Sequence, residues 1–289
     1  MKGILLAGGK GSRLNPMTFA VNKHLLPVYD KPMIYYSMSI LMLGGIRDIA
    51  LISNPEDQHL FQRLFGDGSR LGLNITYFVQ VEARGIPDAF LITQDWLQDD
   101  DVCLILGDNI FFGESFGHKL SSAINELNGA TIFTQQVNNP QRFGVACFDE
   151  HDNITSLHEK PKEFISNHAI TGLYLFDNQV AKFAANTRPS GRGELEIMDV
   201  LEQYRQQQRL SHTTLGRGFA WLDAGTAESL LEAGSCIHTI EKMQGLKIAC
   251  LEELAVRQGW CDKATILQHQ ANQSQSAYDL YVQKILEQM

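Results

Sequence analysis

The stretch Gly3-Ile4-Leu5-Leu6-Ala7-Gly8-Gly9-Lys10-Gly11-Ser12-Arg13-Leu14 decides the reading of the fold. Residues 3–7 are continuously apolar, without the alternation of a half-exposed strand, so they read as a strand covered on both faces in a parallel sheet. Gly8 and Gly9 close it with a tight loop. Three glycines let the backbone turn sharply and bring N–H groups close to an anion, and Lys10 and Arg13 add positive charge. The Walker pattern is absent, because no Gly-Lys-Ser/Thr ends the loop, and the dinucleotide pattern fails because position 14 is Leu. On spacing alone a plain glycine turn remains the alternative. Ser12 and Arg13 favour a triphosphate loop of another type.

Outward from this stretch, apolar runs recur at residues 49–52, 75–80 and 102–106. Between them, helical spacing covers 33–43, 55–65 (Asn54 as N-cap, Pro55 in the first turn), 87–97 and 116–127. Strand alternating with helix gives βαβ units and a Rossmann-like, mostly parallel sheet flanked by helices. After Gly129, strand-like runs at 130–136, 143–148, 154–159 and 169–176 follow with few helices between, so antiparallel additions and a mixed sheet are expected. Helices at 178–185 and 194–207 and a short strand at 219–222 come next. From 226 onward helices dominate, at 227–242, 252–258, 262–270 and 276–286. The expected organisation is one α/β body over 1–242 and a small C-terminal helical appendage over 243–289.

The 289 residues are 44% hydrophobic and 20% charged, which excludes disordered, collagenous and coiled-coil classes. A net charge of -9 argues against a nucleic-acid partner, so cations that bind phosphates must be gathered locally. Five cysteines, none in a C-x-x-C arrangement, suggest neither a disulfide framework nor a zinc site and fit a cytoplasmic protein. No signal peptide and no membrane span is expected.

Two carboxylates stand at predicted strand ends, Asp108 after 102–107 and Asp223 after 219–222. Ligands gather at the carboxyl ends of strands in open α/β sheets, and Mg²⁺ takes one or two carboxylates with phosphate oxygens and waters. Taken singly, each aspartate is as well explained by capping a turn. Lys23, in Asn22-Lys23-His24-Leu25-Leu26-Pro27-Val28, reads alone as a surface charge, and His24 as packing or capping. Glu159-Lys160-Pro161 and Gly191-Arg192-Gly193-Glu194 set cations beside acids, as an anionic sugar requires.

Gly8 to Thr18, followed by Lys23-His24-Leu25-Leu26-Pro27-Val28, closely resembles the signature of the sugar-1-phosphate nucleotidylyltransferases. Within them the chain is similar end to end to the short bacterial glucose-1-phosphate thymidylyltransferases. The shared motifs include Leu106-Gly107-Asp108-Asn109, Glu159-Lys160-Pro161, Thr171-Gly172-Leu173-Tyr174, Arg192-Gly193-Glu194-Leu195-Glu196-Ile197 and Gly216 to Asp223. The resemblance implies in-line attack of a sugar-1-phosphate oxygen on the α-phosphorus of dTTP, with Mg²⁺ and loss of pyrophosphate. It implies catalytic roles for Arg13, Lys23, Asp108 and Asp223, the two aspartates holding the metal. Leu6, Gly8, Gly9, Gly11, Ser12, Arg13, Gln80 and Gly85 would bind the nucleotide. Leu106, Gly144, Glu159, Lys160, Ile170 and Arg192 would bind glucose 1-phosphate. A homotetramer with a second, regulatory nucleotide-sugar site, working in deoxysugar and polysaccharide biosynthesis, is implied as well.

The chain departs from that pattern at Ile86-Pro87-Asp88, beside the base and sugar, where Gly-Leu-Ala-Gln-Ala is usual, and at His158, Met198 and Ala224. A uridylyltransferase, an enzyme for another hexose 1-phosphate, or a catalytically silent nucleotide-sugar binder therefore remain alternatives at this point. Lys10, Arg13, Lys23, Lys160 and Arg192 are expected to converge on one triphosphate and one sugar phosphate.

Overall fold

The computed structural model describes residues 1–271 and 276–289. Strand β1 (Lys2–Ala7) leads through three single-turn 3-10 helices to the short hairpin β2 (Pro27–Val28) and β3 (Lys31–Pro32). Then come α1 (Ile34–Leu43), β4 (Asp48–Ser53), α2 (Gln58–Phe65), β5 (Asn74–Val79), α3 (Asp88–Ile92), α4 (Gln94–Leu97), β6 (Val102–Leu106), β7 (Asn109–Phe112) and α5 (Phe116–Asn125). The second half holds β8 (Ala130–Gln136), β9 (Gly144–Phe148), β10 (Ile154–Glu159), β11 (His168–Phe176), α6 (Val180–Ala185), α7 (Ile197–Gln206), β12 (Leu210–Leu215) and β13 (Ala220–Asp223). Helices α8 (Ala227–Gln244), α9 (Leu251–Arg257), α10 (Lys263–Ala271) and α11 (Ala277–Gln288) complete the chain.

The main sheet runs β10-β9-β11-β6-β1-β4-β5, with β8 also on β11 and β12 on β8. β1 lies at its centre, parallel to β4 and β6, and β4 is parallel to β5. β11 is antiparallel to β6, β8 and β9, which gives the mixed sheet expected from the change of rhythm after Gly129. Along β1, Leu5 and Ala7 enter one core cluster and Ile4 the other. Both faces are therefore covered, which is why the run reads as continuously apolar. α1 is buried from Ile34 to Met42, as expected of a helix with no polar face.

Several boundaries differ from the sequence reading. The helix expected from Pro55 begins at Gln58, because the Asn54 side chain does not cap it: Asn54 Oδ1 accepts from the Gly9 N–H at 3.2 Å, and Nδ2 donates to the Gly9 carbonyl at 3.3 Å. The 87–97 helix breaks at Thr93, whose hydroxyl donates to the Ala89 carbonyl at 2.7 Å. β7 and β12 escape the apolar-run criterion, β12 because Leu-Ser-His-Thr-Thr-Leu is polar between its ends. The 194–207 helix starts only at Ile197, because Leu195 is held in a backbone bridge to Gly85.

The C-terminal helices do not stand apart from the sheet. Leu251, Ala255, Ile266, Val282 and Leu286 belong to the same buried cluster as Leu5 and Ile49. Near their start, Glu241 Oε1 accepts from Lys31 Nζ at 3.1 Å and from the Ile248 N–H at 2.9 Å, and Oε2 accepts from Lys247 Nζ at 3.1 Å. Lys31 is 3% and Glu241 7% exposed. Without Glu241 the two lysines share Asp30 as their one remaining carboxylate and the Ile248 N–H loses its acceptor, so Glu241→Ala is expected to cost about 3 kcal/mol in a urea melt.

Candidate active site

The site is built where β1 and β6 end side by side. The Gly107 N–H donates to the Leu6 carbonyl at 2.9 Å, and each strand then opens into a loop: Gly8 to Leu14 on one side, Asp108 on the other. β7 starts directly after Asp108 and pairs antiparallel with β13, which sets Asn109 opposite Asp223. The Ala224 N–H donates to the Asp108 carbonyl at 3.1 Å, so the two aspartates, 115 positions apart in the chain, stand at the same end of one small ribbon.

Asp108 is nearly buried. Lys23 Nζ donates to its Oδ2, and Asn109 Nδ2 donates to its Oδ1 at 3.0 Å. Burial opposes ionisation, but the Lys23 ammonium, the neighbouring His24 and the hydrogen bonds from Lys23 and Asn109 together outweigh it and hold the carboxyl below the usual carboxylate range. Asp223 goes the other way. Burial, and next the Asp108 charge, raise its carboxyl above the usual range, while Arg13, Lys23 and Arg142 only partly counter this. A Cβ on Gly225 would lie 2.8 Å from Arg13 Nη2 and 3.1 Å from Asp223 Oδ1, so it is the missing side chain that admits the guanidinium there. His24, 1% exposed, is pushed down to about 3 by burial and by Lys23, and is therefore neutral. Its Nδ1 lies 2.7 Å from Asn22 Oδ1, the packing role its sequence context suggests.

From this ribbon a cavity of about 240 Å³ extends along the sheet. Ten of the expected residues line it: Arg13, Gly85, Leu106, Asp108, Gly144, Glu159, Lys160, Ile170, Arg192 and Asp223. Within its lining Arg192 Nη2 reaches Glu159 at 3.2 Å and Glu196 at 2.8 Å, and Lys160 Nζ lies 3.6 Å from Glu159. Gly9 and Ser12 line a second cavity, of about 1060 Å³. Leu6, Gly8, Gly11, Gln80 and Lys23 line neither cavity; Gln80 Nε2 donates to the Gly85 carbonyl at 3.2 Å and Lys23 Nζ to Asp108 Oδ2, so these two reach the first cavity through a lining residue. Lys10 does not join Arg13. It faces the second cavity, because left-handed Gly11 (φ 59°) and the single turn Ser12–Leu14 send the two side chains to different walls.

A family profile for nucleotidyl transferases matches residues 2–239. The chain belongs to the nucleotidyl transferase family. It is 50% identical over 286 residues (99% of each chain) to a glucose-1-phosphate thymidylyltransferase from Neisseria meningitidis. Against the same-named protein of Mycobacterium tuberculosis it is 46% identical over 287 residues, again 99% of each. A crystal structure from Bacillus anthracis, described as a glucose-1-phosphate thymidylyltransferase with a sucrose, superimposes with a TM-score of 0.76 at 40% identity, covering 82% of this chain and 94% of that one. A UDP-glucose pyrophosphorylase structure (TM-score 0.74, 21% identity, 83% and 98% covered) shares the fold.

The site of this nucleotidyl transferase also contains residues that the sequence reading passes over. Asn109 Oδ1 accepts from the Gly172 N–H at 3.0 Å and from Trp221 Nε1 at 2.6 Å, tying β11 and β13 to the Asp108 turn. Glu196 clamps Arg192. Asn109 could have been found from its place beside Asp108, but nothing in sequence marks Glu196 off from its neighbour Glu194.

Proposed function

We propose that this nucleotidyl transferase is a glucose-1-phosphate thymidylyltransferase, forming dTDP-glucose and pyrophosphate from dTTP and α-D-glucose 1-phosphate. The observation that carries this is one cavity lined both by Asp108, Asp223 and Arg13 and by a second cluster, the cations Lys160 and Arg192 around Glu159. Such a cavity can hold a triphosphate against a second phosphate ester. The names of relatives at about half identity over nearly the whole chain support the substrate pair.

The chemistry is one of positioning and charge. Arg13, beside Asp223, neutralises charge as the pyrophosphate departs. Lys23, reaching in through Asp108, does the same at the α-phosphate. Lys160 and Arg192 hold the sugar phosphate so that its oxygen lies in line with the α-phosphorus, and Glu159 orients both cations. Asp108 and Asp223 fit a divalent cation: the two carboxylates stand at the same end of the β7–β13 ribbon, where the charge of one raises the proton affinity of the other, and no cluster of three ligating side chains occurs among the described residues. Mg²⁺ needs no more from protein, and when bound it supplies positive charge to the phosphate oxygens. Gly8, Gly9, Gly11, Ser12, Gln80 and Gly85 take the nucleotide, and Leu106, Gly144 and Ile170 the sugar. The same reading makes the protein a cytoplasmic homotetramer in nucleotide-sugar biosynthesis, its 243–289 helices forming subunit contacts. Among the described residues, no helix is long and apolar enough to cross a membrane.

Pyrophosphate release, measured for every pairing of dTTP and UTP with glucose, galactose and mannose 1-phosphates, tests the proposal. The fastest turnover is expected for dTTP with glucose 1-phosphate. A clear preference for UTP overturns the thymidylyl assignment, and inertness with all pairs overturns the activity.

A further inference from the structure

Gln80 follows β5 and is 5% exposed, so its amide must be satisfied from within the protein. Its Nε2 donates to the Gly85 carbonyl at 3.2 Å and to Asp88 Oδ2 at 3.0 Å. Both partners are acceptors only, so the amide cannot turn over without facing oxygen to oxygen. Its Oε1 is thereby aimed the other way, at Gly8, where β1 opens into the glycine loop. A Cβ on Gly8 would lie 2.9 Å from that oxygen. An acceptor thus points into the space a side chain would otherwise fill. Asp88 is itself 4% exposed, stands in the first turn of α3, and has one further polar neighbour, Arg84 Nη1 at 3.5 Å from Oδ1.

We propose that Asp88 is a positioning residue for base selection: by holding the Gln80 amide nitrogen, it presents the carbonyl oxygen to the nucleobase. The inference rests on the proposed use of a pyrimidine triphosphate and adds what the site selects within that class. A fixed acceptor suits a base whose ring N–H lies between two carbonyls, as in thymine or uracil. Cytosine offers a lone pair at that ring position, so two acceptors would meet. A site built around a buried hydrogen bond rejects the mismatched partner far more strongly than an apolar pocket rejects a change of size. Asp88 therefore excludes cytosine without touching the base, and leaves thymine against uracil to other contacts.

The test is the ratio of kcat/KM for dTTP to that for dCTP, each with glucose 1-phosphate, in wild type, Asp88→Asn and Asp88→Ala. Wild type is expected to favour dTTP by about 10³-fold or more. Asn can donate as well as accept, and Ala offers nothing, so in both variants only the Gly85 carbonyl still holds the amide nitrogen and the amide turns more readily. The ratio is then expected to fall by about tenfold or more. It cancels the fraction of protein that folds, and the ratio of dissociation constants from equilibrium dialysis gives the same readout where turnover is too slow. An unchanged ratio in both variants, or a wild type that accepts dCTP as readily as dTTP, overturns the inference. A wild type that neither turns over nor binds dTTP overturns instead the functional reading beneath it.

Discussion

Asp223→Asn is expected to lower nucleotidyl transfer by about 10³-fold while leaving the free protein at least as heat-stable as wild type. The loss of rate follows from the proposed role: a neutral amide oxygen holds a hard cation far more weakly than a carboxylate does. The stability expectation follows from the environment. Burial and the nearby Asp108 charge raise the Asp223 carboxyl, so in the folded protein the charged form is disfavoured relative to the unfolded chain. The folded state then holds the proton more tightly. Stability from this group is present at low pH and is lost as pH rises from the ordinary carboxylate value through the raised one. Asparagine removes that loss, so the melting temperature at neutral pH is expected to rise by about 2 °C, with little change at pH 4. Asp108→Asn should lose as much activity for the opposite structural reason. Its carboxyl is held below the usual range by Lys23 foremost, and an amide in its place leaves a largely buried ammonium facing only Asp223, at a cost of about 3 kcal/mol. Thermal melts of both variants at pH 4 and pH 7.5, beside rates of pyrophosphate release, check the pair. Two equal shifts in melting temperature would contradict the division of roles.

The parallel half of the sheet was legible because strands covered on both faces leave uninterrupted apolar runs, as Ile4 to Ala7 does. β12 was not, because the identity of an edge strand is decided by its partner: Leu210–Leu215 takes its register from β8, beside which Thr131 meets Ser211 and Thr134 meets Thr214. The same distinction governs the site. Glycines, Lys23 and the two aspartates stand out locally; Asp108, Asp223, Gly85 and Gly144 line one cavity, Gly9 lines the other, and Gly8, Gly11 and Lys23 line neither. What sequence could not supply was direction. Lys10 and Arg13 look equivalent on paper, yet a single left-handed residue between them sends them to different walls. Nor could spacing tell that Asn54 serves the glycine loop rather than α2, since both uses satisfy an Asn followed by Pro. Polar groups bound to distant partners, such as Asn109 with Trp221, are fixed by tertiary pairing and leave no periodic trace.

Gly85→Ala is expected to lower kcat/KM by about 10²-fold with only a modest fall in melting temperature. Gly85 has φ 105°, outside the region open to residues with a Cβ, and a Cβ there would stand 2.1 Å from the Leu195 carbonyl oxygen and 2.9 Å from its nitrogen. That close approach is a backbone bridge: Gly85 pairs with Leu195 in parallel fashion, and the Leu195 N–H donates to the Arg84 carbonyl at 2.7 Å. It joins the segment between β5 and α3, which Gln80 opens and Asp88 follows, to the segment that carries Arg192 and Glu196. An alanine can enter only by pushing these two strips apart, at about 1 to 3 kcal/mol of backbone strain plus the lost hydrogen bond. The core elements need not move, so most of the damage falls on the distance between the nucleotide and sugar sides of the cavity. In-line transfer is sensitive to a displacement of about 1 Å. Gly191→Ala is the matched control, in the loop on the same side but with no atom within 4 Å of the added carbon, and its rate is expected to stay within about twofold of wild type. If Gly85→Ala turns over as fast as Gly191→Ala, the bridge does not set the spacing of the two phosphates, and the placement of the sugar side relative to β5 must come from the α7 packing alone.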